Sequence, residues 1–254
     1  MSFQGNGVTF LNIDGAYVSQ PGLRRLPHEW IDLMDVAHTN LYCEQASLCE
    51  LERRIQTCRN LVFIGSGNYH YISYLLMKRI QEPFTLILFD NHTDIGNGTD
   101  HEQIISCGSW VSYALELPLL QRAVIVGPTR WQSSLFSSET IVLSNNIVSP
   151  NLLLSHIQTE NVYISIDKDV LREEDAMTNW DHGTMPLSAL IGCLQELFVH
   201  KNVVGIDICG EYPQASIYPF DPVSREAVRK NEHANMCIAH NCLYDPQPTT
   251  FIIQ

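Results

Sequence analysis

Basic residues are scarce: 15 lysines and arginines stand against 28 aspartates and glutamates, a formal net charge of −13 over 254 residues with histidine neutral. A field of that sign repels phosphate backbones and anionic headgroups, which argues against nucleic acid and membrane surfaces as partners. Long apolar runs are missing too; none reaches the ~18 residues that a membrane-spanning helix needs. The opening segment MSFQGNGVTF lacks the basic and apolar regions of a secretory signal, so the expected location is the cytoplasm. The eight cysteines (43, 49, 58, 107, 193, 209, 237 and 242) form no CxxC pair. Scattered through a chain of this length, they read as reduced and mostly buried thiols. No Gly/Ser-rich linker, composition break, internal repeat or low-complexity tract interrupts the chain. At 45% hydrophobic and 17% charged it reads as one globular domain over residues 1–254.

What the chain does have is alternation. Short apolar runs at Val8 to Ile13, Leu61 to Ile64, Thr85 to Phe89, Ala123 to Val126, Thr140 to Leu143, Val162 to Ile166 and Val203 to Ile208 are apolar on both faces, as strands of a covered parallel sheet must be. Between them, helical patterns occupy Glu44 to Cys58, Tyr71 to Gln81 and Leu187 to His200. A further helix is predicted to start at Asp221-Pro222, where Asp can cap free amides and Pro fits the first turn. The expected class is α/β, with three α/β/α layers around a central, mostly parallel sheet. Glu102 to Leu120 resists assignment, and the tail after Asp245 reads as irregular.

Ligands of an open parallel sheet bind beyond the carboxyl ends of its strands. In this chain those ends are rich in acids and imidazoles: Gly65-Ser-Gly-Asn-Tyr-His70, Asp90-Asn-His92-Thr-Asp94, Asp167-Lys-Asp169 and Cys209-Gly-Glu211. Several carboxylates at one partly desolvated edge repel one another unless cations neutralise them. Mixed oxygen and nitrogen donors suit hard or borderline ions such as manganese, and six candidate ligands exceed the needs of one ion. His70, Asp90, His92, Asp94, Asp167 and Asp169 are the predicted metal ligands. Two ions sharing carboxylates could activate water as a nucleophile and polarise the bond under attack, which also makes Asp90 a candidate catalytic residue. Alone, DxHxD or DxD is a weak signal, since such residues also cap helices and form turns. Their joint occurrence carries the argument. A dinucleotide loop at Gly65-x-Gly67 is disfavoured, because His70 takes the third glycine position and a ribose acid leaves the other ligands unexplained.

These segments resemble those of the arginases and other ureohydrolases. Asp90-Asn-His92-Thr-Asp94 is similar to their Asp-Ala-His-x-Asp motif, and Ser165-Ile-Asp167-Lys-Asp169 to their Ser-Phe-Asp-x-Asp motif. Gly183-Thr-Met-Pro186 resembles a Gly-Thr-Pro segment. Gly205 to Pro213 resembles Gly-Leu-Asp-x-x-Glu-x-x-Pro, with one gap needed to align Glu211. The resemblance implies an arginase/deacetylase-like fold, two manganese ions per chain, and hydrolysis of a guanidine or amidine C–N bond in a small cationic substrate. Self-association into a homo-oligomer is left open.

The departures are informative. The family's proton-shuttle histidine falls where this chain has Ser106-Cys-Gly-Ser-Trp110, so His101 and His182 are the candidate replacements. An Asn that arginases use to read the amino-acid end of the substrate corresponds to Gly96, with Asn97 one residue further. Their carboxylate-rich loop is not found in Gly127-Pro-Thr-Arg130-Trp131, so free arginine is not the expected preferred substrate. Asn97, a pocket wall at Trp180 and a bidentate carboxylate at Glu211 are the candidate substrate contacts. His233 and His240 lie in the last helical pattern and read as structural. Two other functions compete: a deacetylase-like amidohydrolase with a single metal, and a metal-binding protein without catalysis.

Overall fold

Successive side chains on a strand point to opposite faces, so a run apolar on both faces requires a core on each side of the sheet. The computed structural model, which describes residues 7–96, 104–129, 138–144, 148–213 and 220–244, has that arrangement. In chain order its elements are β1 (Val8–Asn12), β2 (His28–Asp32), β3 (Tyr42–Glu44), α1 (Gln45–Arg54), β4 (Leu61–Phe63), α2 (Ile72–Met77), β5 (Phe84–Phe89), β6 (Ile104–Ser106), α3 (Trp110–Leu115), β7 (Leu120–Gly127), β8 (Thr140–Ser144), α4 (Pro150–Ser155), β9 (Asn161–Asp167), α5 (Leu187–His200), β10 (Asn202–Cys209) and α6 (Pro222–Leu243).

Eight strands form one sheet in the order β2-β1-β4-β10-β9-β5-β7-β8, with parallel pairing throughout. A separate antiparallel pair joins β3 and β6. Phe63, Ile87, Phe89, Val124 and Val126 pack on one face with Leu190, Leu194 and Leu197 of α5 and Ile238 of α6. Their alternates Val62, Leu86, Leu88, Ala123 and Ile125 pack on the other with α1, α2 and α3. The three α/β/α layers follow directly from that alternation. No helix among the described residues is long and apolar enough to cross a membrane.

All seven expected strands are present, and α5 has the expected bounds. Asp221 caps α6 as anticipated, its Oδ2 accepting the Ser224 amide at 2.7 Å. The structure adds β2, an edge strand whose sequence HEWID is part-exposed and lacks an apolar run. It also resolves the unassigned stretch into β6, α3 and the start of β7, and adds α4 behind the cap Ser149. Helices of six residues are too short to display a 3.6-residue period. The cysteines are all free thiols, five of them buried.

The fold has a direct consequence for the site. The strands ending in acid and histidine motifs, β4, β10, β9 and β5, are four consecutive neighbours in the middle of the sheet.

Candidate metal centre

His70 follows β4 through a short helical turn, Gly67–Tyr69, and is 1% exposed. Its Nδ1 lies 3.2 Å from Asp90 Oδ2, 3.2 Å from Asp94 Oδ2 and 3.6 Å from Asp167 Oδ2. The other ring nitrogen fixes the orientation of the ring. Ser165 Oγ donates to Asp207 Oδ1 (2.7 Å), so it accepts from His70 Nε2 (2.9 Å), which turns Nδ1 towards the acids. Tyr163 donates to the second oxygen of Asp207 at 2.7 Å, completing a buried support behind the histidine.

At the end of β5 the chain turns so that the His92 amide donates to Asp90 Oδ1 at 2.6 Å. The Asn91 amide donates to Asp169 Oδ1, and the Asp169 amide to Asp167 Oδ1, both at 2.9 Å. These main-chain bonds occupy one oxygen of each carboxylate and orient the other. His92 Nδ1 lies 2.8 Å from Asp169 Oδ2 and 3.4 Å from Asp90 Oδ1. Asp94 has φ 49°, a left-handed conformation that Asp tolerates better than most residues. Gly67 must lack a side chain, because a Cβ there would lie 2.8 Å from Asp167 Oδ2 and 3.0 Å from the Trp180 ring.

All six predicted metal ligands are therefore brought together. His70, Asp90 and Asp94 form one group of donors within 4.8 Å of one another, Asp90, His92 and Asp169 a second, and His70, Asp167 and Cys209 a third. The donor set fits cations. Burial, then the charge of Asp90, drives Asp94 above the usual carboxylate range. Burial followed by neighbouring acids does the same to Asp167 and Asp169. Burial opposes ionisation of Asp90 as well, but bonds from His70 and His92 bring it below that range. Bonds to Asp169 and Asp90 push His92 up to about 11. Four acids in one buried cluster cannot all keep their charge on two imidazoles, and divalent cations would restore the balance.

Other predicted residues sit differently. Both oxygens of Glu211 are already engaged: Lys168 Nζ pairs with Oε1, Asn235 Nδ2 donates to Oε1 at 2.6 Å, and Gln20 Nε2 donates to Oε2 at 2.7 Å. Glu211 is 1% exposed and Lys168 fully buried, so the expected fork for a substrate cation holds an internal ammonium instead. His182 is held on the main chain, Nδ1 at 3.2 Å from the Leu171 carbonyl and Nε2 accepting the Thr178 amide at 3.3 Å. Both of its ring nitrogens are thus engaged by the loop. Trp180 is 37% exposed, meets His92 edge-on at 5.9 Å and donates from Nε1 to Asn68 Oδ1, so it stands beside the outer histidine. Asn97 and His101 lie outside the described residues.

The sequence reading missed the part played by Trp110. This fully buried ring donates Nε1–H to Asp94 Oδ2 at 2.7 Å and lies 4.8 Å from the His70 ring. The residue standing in the shuttle segment thus orients a predicted ligand. Asp207, an acid inside an otherwise apolar strand, was the signal for the support behind His70.

The arginase family model matches residues 19–217. The chain belongs to the arginase family. It is 29% identical over 233 residues to an uncharacterized protein of Thermotoga maritima, covering 91% of this chain and 87% of that one. The agmatine ureohydrolase of Thermoplasma volcanium superposes with a TM-score of 0.64 at 13% identity, over 95% of this chain and 92% of that one. A hypothetical agmatinase from Burkholderia thailandensis gives 0.57 at 20% identity; the match covers 78% of this chain and 64% of that longer one. Identities this low establish the shared fold and no more.

Proposed function

We propose that this protein is a ureohydrolase-like hydrolase of a C–N bond in a guanidine or amidine, working with two manganese ions. The observation that carries the reading is the gathering of four carboxylates and two imidazoles at the ends of neighbouring central strands. His70, Asp90, Asp94 and Asp167 would hold an inner cation, and Asp90, His92, Asp167 and Asp169 an outer one. When bound, such a pair makes water nucleophilic at neutral pH and polarises the bond under attack.

The chain's own residues orient and exclude. Trp110 holds Asp94, and Ser165 with Asp207 holds the His70 ring. The Trp180 ring and His92 border the outer side, where a small cationic substrate is drawn by the acidic field. His182, one of the two candidate donors, is bonded through both ring nitrogens to the loop main chain, so the proton for the leaving amine would come from solvent or from His101. Loss of a positioned acid costs ~10²- to 10⁴-fold, and turnover is accordingly modest.

The occupied state of Glu211 favours a second reading, hydrolysis of an amide as in deacetylase-like enzymes, because a neutral substrate needs no carboxylate fork. Assaying manganese-loaded protein on guanidines, amidines and amides separates the two. Release of urea or ammonia from a guanidine or amidine is expected, with a decarboxylated guanidine turned over better than arginine. Turnover of amides alone would transfer the assignment to the second reading, and none on any class would overturn both.

A further inference from the structure

The inner half of the cluster contains a donor that the outer half lacks. Cys209 ends β10 directly opposite Asp167 of the parallel strand β9, so register places both side chains on the same face. Its Sγ lies 3.2 Å from Asp167 Oδ2, the oxygen that is also 3.6 Å from His70 Nδ1. The thiol is fully buried, and nitrogen, oxygen and sulfur donors meet within 4.8 Å. The turn that follows is close to the same residues: a Cβ on Gly210, at φ 80°, would collide with Asp167 Oδ1 and the Lys168 main chain. The outer group of Asp90, His92 and Asp169 offers only oxygen and nitrogen. Cys107, part-exposed in the shuttle segment, belongs to none of the donor groups among the described residues.

We propose that Cys209 is a sulfur ligand of the inner cation, making that position selective for a thiophilic divalent ion, zinc or cobalt, while the outer position remains an oxygen and nitrogen site suited to manganese. The inference rests on the cation pair proposed above, adds a ligand to it, and replaces manganese at the inner position wherever zinc or cobalt is present; with manganese as the sole divalent ion both positions still fill. Thiolate donors favour the softer and later ions of the divalent series, whereas carboxylate and imidazole alone leave manganese competitive. On coordination the sulfur–metal bond forms as the S–H bond breaks, and the proton passes to the buffer. The product is a centre of two unlike metals within one family fold.

Cobalt provides the direct test. Full-length protein stripped by chelator and loaded with cobalt should bind two ions and show a thiolate-to-cobalt charge-transfer band in the near ultraviolet. C209S should lose the band while retaining cobalt, and C107S should keep it. With one equivalent of zinc per chain and manganese in large excess, wild type should retain one of each, and C209S should shift the zinc-to-manganese partition by at least about 10- to 100-fold, the range found when mere outer supports of a metal ligand are removed. Should C209S fail to fold, X-ray absorption of zinc-loaded wild type decides, with one sulfur expected at about 2.3 Å. Two cobalt ions without a sulfur band, or a band unchanged in C209S, would overturn this inference and leave the cation pair standing. No bound metal at all would overturn both.

Discussion

Two buried charged clusters share the segment Asp167-Lys168-Asp169, and they reach neutrality by different routes. Lys168 turns to one side, where its ammonium meets Glu211 and donates to Asn235 Oδ1 at 2.9 Å. Asp167 and Asp169 turn to the other, where acids outnumber the two imidazoles. The first cluster supplies its own cation from within the chain. The second is completed from outside, and that contrast separates a structural ion pair from a binding site although both consist of buried acids.

The comparison breaks most visibly at Lys168. K168M leaves the Glu211 carboxylate buried without a counter-charge and should cost about 3–5 kcal/mol in urea unfolding, with or without manganese. The double variant K168M/E211L should recover most of that loss, since two apolar side chains leave no charge stranded. A single variant as stable as wild type would show that water already reaches the pair. The next effect concerns the second cluster. W110F retains an aromatic ring but removes the Nε1–H bond to Asp94, and should weaken metal binding about 10- to 100-fold by calorimetric titration. Unchanged affinity would reduce Trp110 to a packing residue.

A smaller effect is expected at His182, whose ring nitrogens serve the loop main chain. H182A should lose about 1 kcal/mol of stability and leave turnover at saturating substrate unchanged; a fall of about 10²-fold or more would restore it as the proton donor. The smallest effect belongs to an exposed cluster that serves as control. Bonds from Arg53 and then Arg54 hold Glu50 down to about 2. A carboxyl lowered on folding stabilises at pH values above its unfolded range, and the gain fades as pH falls from that range towards the folded value. E50Q should therefore flatten the stability curve only between about pH 5 and about pH 2, and 1 M salt should erase the difference from wild type. A change at neutral pH as large as that of K168M would remove burial as the distinction between the clusters.

The legible parts of this molecule are those where one residue's environment follows from its neighbours in the chain. Leu86 to Phe89 reads as a covered strand because no polar residue interrupts it. Asp90, His92 and Asp94 read as ligands because they follow that strand at once. Glu211 reads as a substrate contact because it follows the run Val203 to Ile208 at the same sheet edge as the metal motifs, although one gap is needed to align it with the family's Glu. Its actual partners, Gln20 and Asn235, lie 191 and 24 residues away, one delivered by the turn that follows β1 and the other by α6. The same holds for Lys168, whose position between two acids was visible while the side on which it would emerge was not. β2 stayed hidden for another reason: at an edge with part-exposed residues, pairing supplies what an apolar run supplies in the centre.

Metal stoichiometry tests the central claim most directly. Protein stripped with chelator, equilibrated by dialysis against excess manganese as the sole divalent ion and measured by elemental analysis should carry two ions per chain, falling to one or fewer when Asp167 is replaced by asparagine. One ion or none on the unaltered chain would contradict the account, because the acids gathered by β5 and β9 would then be neutralised by protons and the imidazoles alone.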